Sequence, residues 1–193
     1  MAVQKAPKPR LTPPAEDKLN RAQKELRDSI ASGPRGRFTM GGPFAIYMDA
    51  PEYGMLAQKL GGYVRLQTTV PPRLSELAIL CVARYWKAQY EWFAHAPIAE
   101  KQGVKPETIK SIKAGRRPEV AKRDELAIYD FVQELNKTKR VSDPTYKKVQ
   151  KLLGDQGTVE LVGIIGYYTT VSLLLNTFRS PLPEGQKLPF KEA

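Results

Sequence analysis

The sequence predicts an all-α protein of roughly seven helices with an N-terminal helical arm. Apolar residues recur every three or four positions in most segments that lie between glycines and prolines. Several prolines, among them Pro72, Pro106 and Pro144, stand where the first turn of a helix would accept them. No segment alternates between apolar and polar residues for long, although the β-branched residues of 68–70 allow one short strand.

The chain divides into a tail, an arm and one main domain. Residues 1–13 are rich in proline and lysine and have little to bury, so we expect a flexible tail. Residues 14–37 form a helical arm and a linker, and the arm is expected to pack on the body or on a neighbouring subunit. One face of the arm is apolar: Leu19, Ala22, Leu26 and Ile30. Residues 38–193 are long enough for one buried core.

The first half of the main domain builds up to a central helix. Two short apolar pieces, 43–51 and 52–67, are bounded by prolines and glycines that mark corners. A core helix then begins at Pro72. Its buried surface is broad: Leu74, Leu77, Ala78, Leu80, Cys81 and Val82. The next segment, residues 89–103, carries several aromatic residues and the only histidine, His95.

Four further helical segments are predicted in the second half of the main domain, and the last of them is the most apolar. A short helix is predicted in 103–115 and a longer one in 118–138. The helix of 142–154 has Asp143 as its cap and ends at a glycine. The last segment, 157–183, is apolar on nearly all sides. Three polar residues bracket this segment: Glu160, Asn176 and Arg179. We therefore interpret it as a buried core or interface helix and not as a membrane span.

The charge of the chain favours anionic partners but not nucleic acid. Thirty-one lysines and arginines against 20 acids give a formal net charge of +11. The basic residues are spread along the chain, and no zinc-ligand spacing or RNA-binding strand motif occurs. A lone cysteine, Cys81, excludes an intramolecular disulfide. Without a signal-like or membrane-spanning segment, we expect a cytoplasmic location.

The most informative pair of residues is Glu91 and His95. They are four positions apart, so on a helix both project from one face, and a carboxylate beside an imidazole prepares a proton-transfer pair. The alternative is that Glu91 and His95 form an ordinary side-chain contact on a helix whose aromatic residues pack in the core. Two ligands are too few for catalytic zinc. No phosphate loop or dinucleotide fingerprint occurs, so we expect neither a metal nor any other cofactor.

A longer pattern resembles a known family. The stretch RLSELAILCVARYWKAQYEWFAHAPIAEKQGVKPETIKSIKAG resembles the central motif of the carboxymuconolactone decarboxylase family, part of the AhpD-like superfamily. Upstream, GGPFAIYMDAPEYGMLAQKLGGYVRL is similar to the preceding helices of that family, and ELVGIIGYYTTVSLLLNTF to its closing helix. The resemblance covers about residues 40–185 and implies an AhpD-like helical bundle.

The resemblance also implies an activity and a site. The reaction is loss of CO₂ from a carboxylated muconolactone, a lyase step of aromatic compound catabolism on a small anionic organic substrate. The resemblance carries over Glu76 and His95, and Glu91 joins them in an acid–base group. We expect His95 as proton donor or shuttle, Glu91 as its orienting partner and Glu76 as a second carboxylate. The resemblance further implies a homo-oligomer, a trimer or hexamer, with sites at the subunit interfaces. Three residues are then expected to line the pocket: Trp86, Tyr167 and Asn176.

Two other interpretations stay open. In the redox branch of the superfamily, a CxxC motif stands between the glutamate and the histidine, but the matching positions here are Ala88 and Glu91. A peroxide-handling protein of this kind would have to depend on Cys81, which has no resolving partner. The third interpretation is a non-catalytic helical oligomer that binds an anionic ligand or nucleic acid through its basic N-terminal arm.

Overall fold

Eight α-helices and one short 3₁₀ turn follow one another in the computed structural model, which describes residues 8–191. After the 3₁₀ turn Glu16–Lys18, the helices are α1 Arg21–Ser32, α2 Gly42–Tyr47, α3 Pro51–Leu66, α4 Pro72–Tyr85, α5 Gln89–Lys101, α6 Pro106–Lys113, α7 Arg123–Thr138 and α8 Asp143–Phe178. The all-α prediction is confirmed. Residues 68–70 form the turn between α3 and α4, and no strand occurs among the described residues.

Local chemistry explains most helix boundaries. Proline occupies the first turn of α3, α4, α6 and α8, where its missing N–H costs nothing. The arm helix α1 begins at Arg21, later than the pattern suggested, because Asn20 and Gln23 form a reciprocal capping box there. The predicted helix end at Gly154 is confirmed by the backbone. Gly154 adopts φ 71° and ψ −178°, which is not helical, and a second helical stretch begins directly after this kink, so α8 consists of two helices joined at Gly154.

The core lies around α4. This helix packs against α5, α7 and α8, and every residue from Leu74 to Ala83 is buried. Cys81 is fully buried, and this burial raises the pKa of its thiol. A raised thiol pKa disfavours the thiolate that peroxide chemistry requires.

The N-terminal segments lie against this body. Helix α1 packs on α3, and a second apolar cluster joins the arm to α2: Leu19, Leu26, Ile30, Tyr47 and Met48. The backbone N–H of Arg10 donates to the carbonyl oxygen of Phe178 at 3.0 Å. Leu11 packs against the main core. Residues 8–13 of the predicted tail are therefore placed beside the end of α8, and residues 1–7 lie outside the described residues.

Helix α8 is long and apolar enough to cross a membrane by length and composition alone. Within the protein, 56% of its most apolar window is buried. Its inner face packs against α2, α3, α4 and α7. This packing is consistent with the buried core helix predicted from the sequence.

Glu160 joins α8 to the turn that precedes α4. Its carboxylate accepts hydrogen bonds from Tyr63 Oη at 2.7 Å, from the Thr69 N–H at 2.7 Å, from Thr69 Oγ1 at 2.6 Å and from Gln156 Nε2 at 3.1 Å. These hydrogen bonds, led by that of Thr69 Oγ1, lower the pKa of Glu160 to about 2.

Replacing Glu160 with glutamine is expected to lower the free energy of unfolding by about 1–3 kcal/mol at pH 7, because charge-assisted hydrogen bonds are lost. The folded-state pKa lies below the ordinary value of 4.5, so this stability is present above pH 4.5 and is lost as the pH falls towards 2. Urea unfolding of both proteins at several pH values checks this. An equal difference at pH 7 and pH 2.5 would contradict it.

Candidate active site

The structure brings Glu76, Glu91 and His95 together between α4 and α5. Glu76 lies in the second turn of α4, while Glu91 and His95 occupy successive turns of α5. All three side chains are buried, with residue exposures of 5%, 4% and 4%. Each ring nitrogen of His95 faces one carboxylate: Nδ1 lies 2.7 Å from Glu76 Oε2, and Nε2 lies 3.3 Å from Glu91 Oε2.

Glu76 makes the orienting hydrogen bond to His95. The 2.7 Å distance is typical of a charge-assisted bond, and we assign Nδ1 as the donor because an ionised carboxylate only accepts. The four-residue spacing of Glu91 and His95 predicts this role for Glu91 instead. The 3.3 Å contact to Nε2 lacks hydrogen-bond alignment, and Glu91 Oε2 has no hydrogen-bond partner among the described residues. The reason is tertiary: α4 supplies a carboxylate that approaches the ring from the other side.

Burial favours the protonated form of Glu91. Desolvation is the largest influence and raises the pKa of its carboxyl group. The neighbouring charges of His95, Arg65 and Arg35 act in the opposite direction, and Glu76 adds to the rise. Glu91 thus has an elevated pKa and one oxygen without a partner, which are the properties of a proton donor.

Two tyrosines of α8 support the imidazole. The ring of Tyr168 meets that of His95 edge to face, with centroids 5.0 Å apart and an interplanar angle of 84°. Tyr167 packs on Tyr168 in the same manner, at 5.3 Å. These contacts restrict the ring plane of His95, while its hydrogen bond to Glu76 fixes which nitrogen faces outward.

Glu91 and His95 open on a cavity of about 470 Å³, here named the His95 cavity. Tyr167 and Tyr168 line it from α8. Three arginines also line it, and their positions were not anticipated from the sequence: Arg35, Arg37 and Arg65. The first two belong to the linker after α1, and the third to the end of α3. The cavity wall therefore carries more positive than negative charge.

Arg35 contacts an aromatic ring and keeps a hydrogen-bond donor without a partner among the described residues. Its guanidinium group lies over the ring of Phe44, 5.2 Å from the centroid. Its Nε atom is buried and has no hydrogen-bond partner among the described residues. Gly61 makes room for this arrangement, because a Cβ atom there would lie 2.8 Å from Arg35 Nη2 and would collide with the hydroxyl group of Tyr167.

Replacing Gly61 with alanine is therefore expected to displace Arg35 and Tyr167 and to weaken anion binding at the His95 cavity by at least about tenfold, the equivalent of about 1.4 kcal/mol. Gly62 offers a matched control, because a Cβ atom there would meet only Pro34, at an ordinary 3.9 Å. Calorimetric titration with a small carboxylate checks both variants. Equal affinity in both would contradict the positioning role of Gly61.

The remaining sequence-predicted residues divide between two places. Tyr167 lines the His95 cavity as expected from the resemblance. Trp86 and Asn176 lie outside the cavity lining in the single chain. There, Asn176 Nδ2 donates to the backbone oxygen of Trp86 at 2.7 Å and ties the end of α8 to the end of α4.

No protein-family model matches the chain, and no curated protein matches it. Among the described residues, no group of three or more histidine, cysteine or acidic side chains is arranged to hold a metal ion. The case for function therefore depends on the geometry of the His95 cavity and on the resemblance given above.

Proposed function

We propose that the protein is a cofactor-independent lyase of the carboxymuconolactone decarboxylase type, with an AhpD-like arrangement of helices. One observation carries the proposal: a buried Glu76–His95–Glu91 group in which His95 and Glu91 open on a cavity lined by arginines. Such a group supplies proton transfer without a metal or an organic cofactor.

Each residue has a distinct task in this reaction. Glu76 is a positioning residue that keeps the Nδ1 proton of His95 in place. When the C–C bond to the leaving carboxylate breaks, CO₂ departs and the electron pair remains as an enolate of the lactone carbonyl. Glu91 donates its proton to the enolate carbon. His95 Nε2, 3.3 Å away, then takes up a proton from solvent and passes it to the Glu91 carboxylate, which restores the acid for the next turnover.

The arginines of the cavity wall provide positive charge for an anionic substrate. Arg35, Arg37 and Arg65 favour a small anionic organic acid or lactone as the substrate, because its carboxylate finds several donors in the cavity wall. A guanidinium group near the developing enolate oxygen lowers the barrier further, as preorganised donors do in other enzymes.

The proposal includes a homo-oligomer, a trimer or hexamer, in the cytoplasm. Support comes from an apolar surface on α3 and α8. Exposed apolar side chains on these helices include Leu56, Leu60, Val159 and Val162, at 71%, 54%, 72% and 46% exposure. Apolar patches of this kind mark interaction sites more often than free surface.

The direct test is turnover of 4-carboxymuconolactone by purified protein, followed as loss of the lactone and release of CO₂. Turnover in the wild type that collapses in His95→Gln would support the lyase. Absence of turnover in folded wild-type protein would reject this substrate. Turnover of peroxide that disappears on replacing Cys81 with serine would instead favour the redox interpretation.

A further inference from the structure

A second cavity lies beside the His95 cavity. Its volume is about 520 Å³, and we name it the apolar cavity. Three separate segments enclose it: residues 8–13, helix α2 and residues 178–183. Its lining is dominated by aliphatic and aromatic groups such as Leu11, Ala45, Ile46, Phe178 and Leu182. None of these residues takes part in the acid–base group.

The two cavities share a wall. Thr39, Gly41 and Tyr90 line both of them. Tyr90 is the only bulky side chain of the three, and its ring lies directly against the backbone of Gly42, where a Cβ atom would overlap it. Glycine at positions 41 and 42 thus leaves the Tyr90 ring as the barrier between the cavities.

The two sides of this wall differ in chemistry. On one side, Arg35, Arg37 and Arg65 face the cavity together with Glu91 and His95, and the Nε atom of Arg35 lacks a partner. On the other side, the wall offers mainly carbon atoms. A ligand that spanned both would bind an anionic head beside the proton-transfer group and an apolar tail away from it.

We propose that the two cavities form one binding site for an amphipathic carboxylic acid, with its carboxylate at the arginines and its alkyl or aryl tail in the apolar cavity. The Tyr90 ring turns aside to let the tail pass. The inference rests on the proposed function, because it names the substrate class of the same site. It departs from a compact lactone diacid by requiring an apolar tail.

Calorimetric titration of the full-length protein with butanoate, hexanoate and octanoate tests the inference. Each added methylene group is expected to lower the Kd about fourfold, as burial of apolar surface requires. In Ala45→Phe and in Leu182→Trp, which fill the apolar cavity from two different segments of its lining, this dependence on chain length is expected to disappear. Ala31→Phe places the same change on an exposed turn of α1 and should behave as the wild type.

Three results would overturn the inference. These are a Kd that does not change with chain length in the wild type, a dependence that survives in both filled variants, and equal binding of octylamine, which lacks the anionic head. The reaction is tested separately. In His95→Gln, chain-length dependence should persist while turnover is lost. If the Kd of the carboxylates depends on chain length but the wild type does not turn over 4-carboxymuconolactone, the lyase is rejected and the ligand class is kept. If the wild type turns over 4-carboxymuconolactone but the Kd does not depend on chain length, the ligand class is rejected and the lyase is kept.

Discussion

Replacing His95 with glutamine is expected to lower kcat by about 10²- to 10⁴-fold, the usual contribution of a positioned proton-transfer group. The glutamine side chain is close to histidine in size and remains polar, so the helices should remain folded. What it cannot do is accept and return a proton at the position of Nε2, which lies 3.3 Å from Glu91. Initial rates of CO₂ release, with circular dichroism as the check on folding, measure the effect.

The matched change is Glu76→Gln, which leaves His95 in place and removes the carboxylate that orients it. A positioning residue should lower kcat with little change in KM, because Glu76 does not line the His95 cavity. If Glu76→Gln and His95→Gln both retained the wild-type kcat in folded protein, the proposal that this group transfers the proton would be wrong.

Replacing Glu91 with glutamine is expected to have two opposite effects. Turnover should fall by about 10²- to 10⁴-fold, because an amide cannot donate a proton to the enolate carbon. Thermal stability near neutral pH should rise, because burial disfavours the carboxylate and the amide avoids that cost. Scanning calorimetry and turnover measured on the same preparations check both effects.

The sign of the pH dependence follows from the raised pKa of Glu91. Between the ordinary value of 4.5 and the higher folded-state pKa, only the unfolded chain gives up this proton, so the contribution of Glu91 to stability falls as the pH rises. The stabilisation by Glu91→Gln should therefore grow across that window and then level off. Turnover that needs the protonated acid should be present below the folded-state pKa and lost above it.

An exposed glutamate on the same helix provides the control. Glu100 lies near the end of α5 and faces solvent. Glu100→Gln should change neither turnover nor the pH dependence of stability. A Glu91→Gln protein that is less stable than the wild type at neutral pH would show that the attraction of His95, Arg65 and Arg35 outweighs desolvation.

Local sequence patterns predicted the helices better than they predicted the tertiary contacts. Proline in a first turn and apolar periodicity are properties of neighbouring residues, so α4 and α6 could be placed from the sequence. Glycine at 154 predicted a helix end, and the structure has a non-helical residue there, because glycine accepts a positive φ. That a second helix resumes directly after it depends on the packing of the next segment.

The site was predictable only where its members are close in sequence or matched a known pattern. The four-residue spacing of Glu91 and His95 places them on one face of α5. Glu76 entered through the family resemblance. Arg35 and Arg65 reach the cavity from the linker and from α3, and no spacing signals such a meeting. The glycine pair at 61 and 62 was a signal that could have been used, since glycine within a helix often permits close approach.

The most direct test of the account uses the single imidazole of the chain. Because His95 is the only histidine, its ring nitrogens give unambiguous signals in ¹⁵N nuclear magnetic resonance. The account predicts that Nδ1 carries a proton held by Glu76, and that binding of a carboxylate ligand shifts the Nε2 signal but not the Nδ1 signal. An unprotonated Nδ1, or a ligand that perturbs Nδ1 and leaves Nε2 unchanged, would contradict the proposed direction of proton transfer.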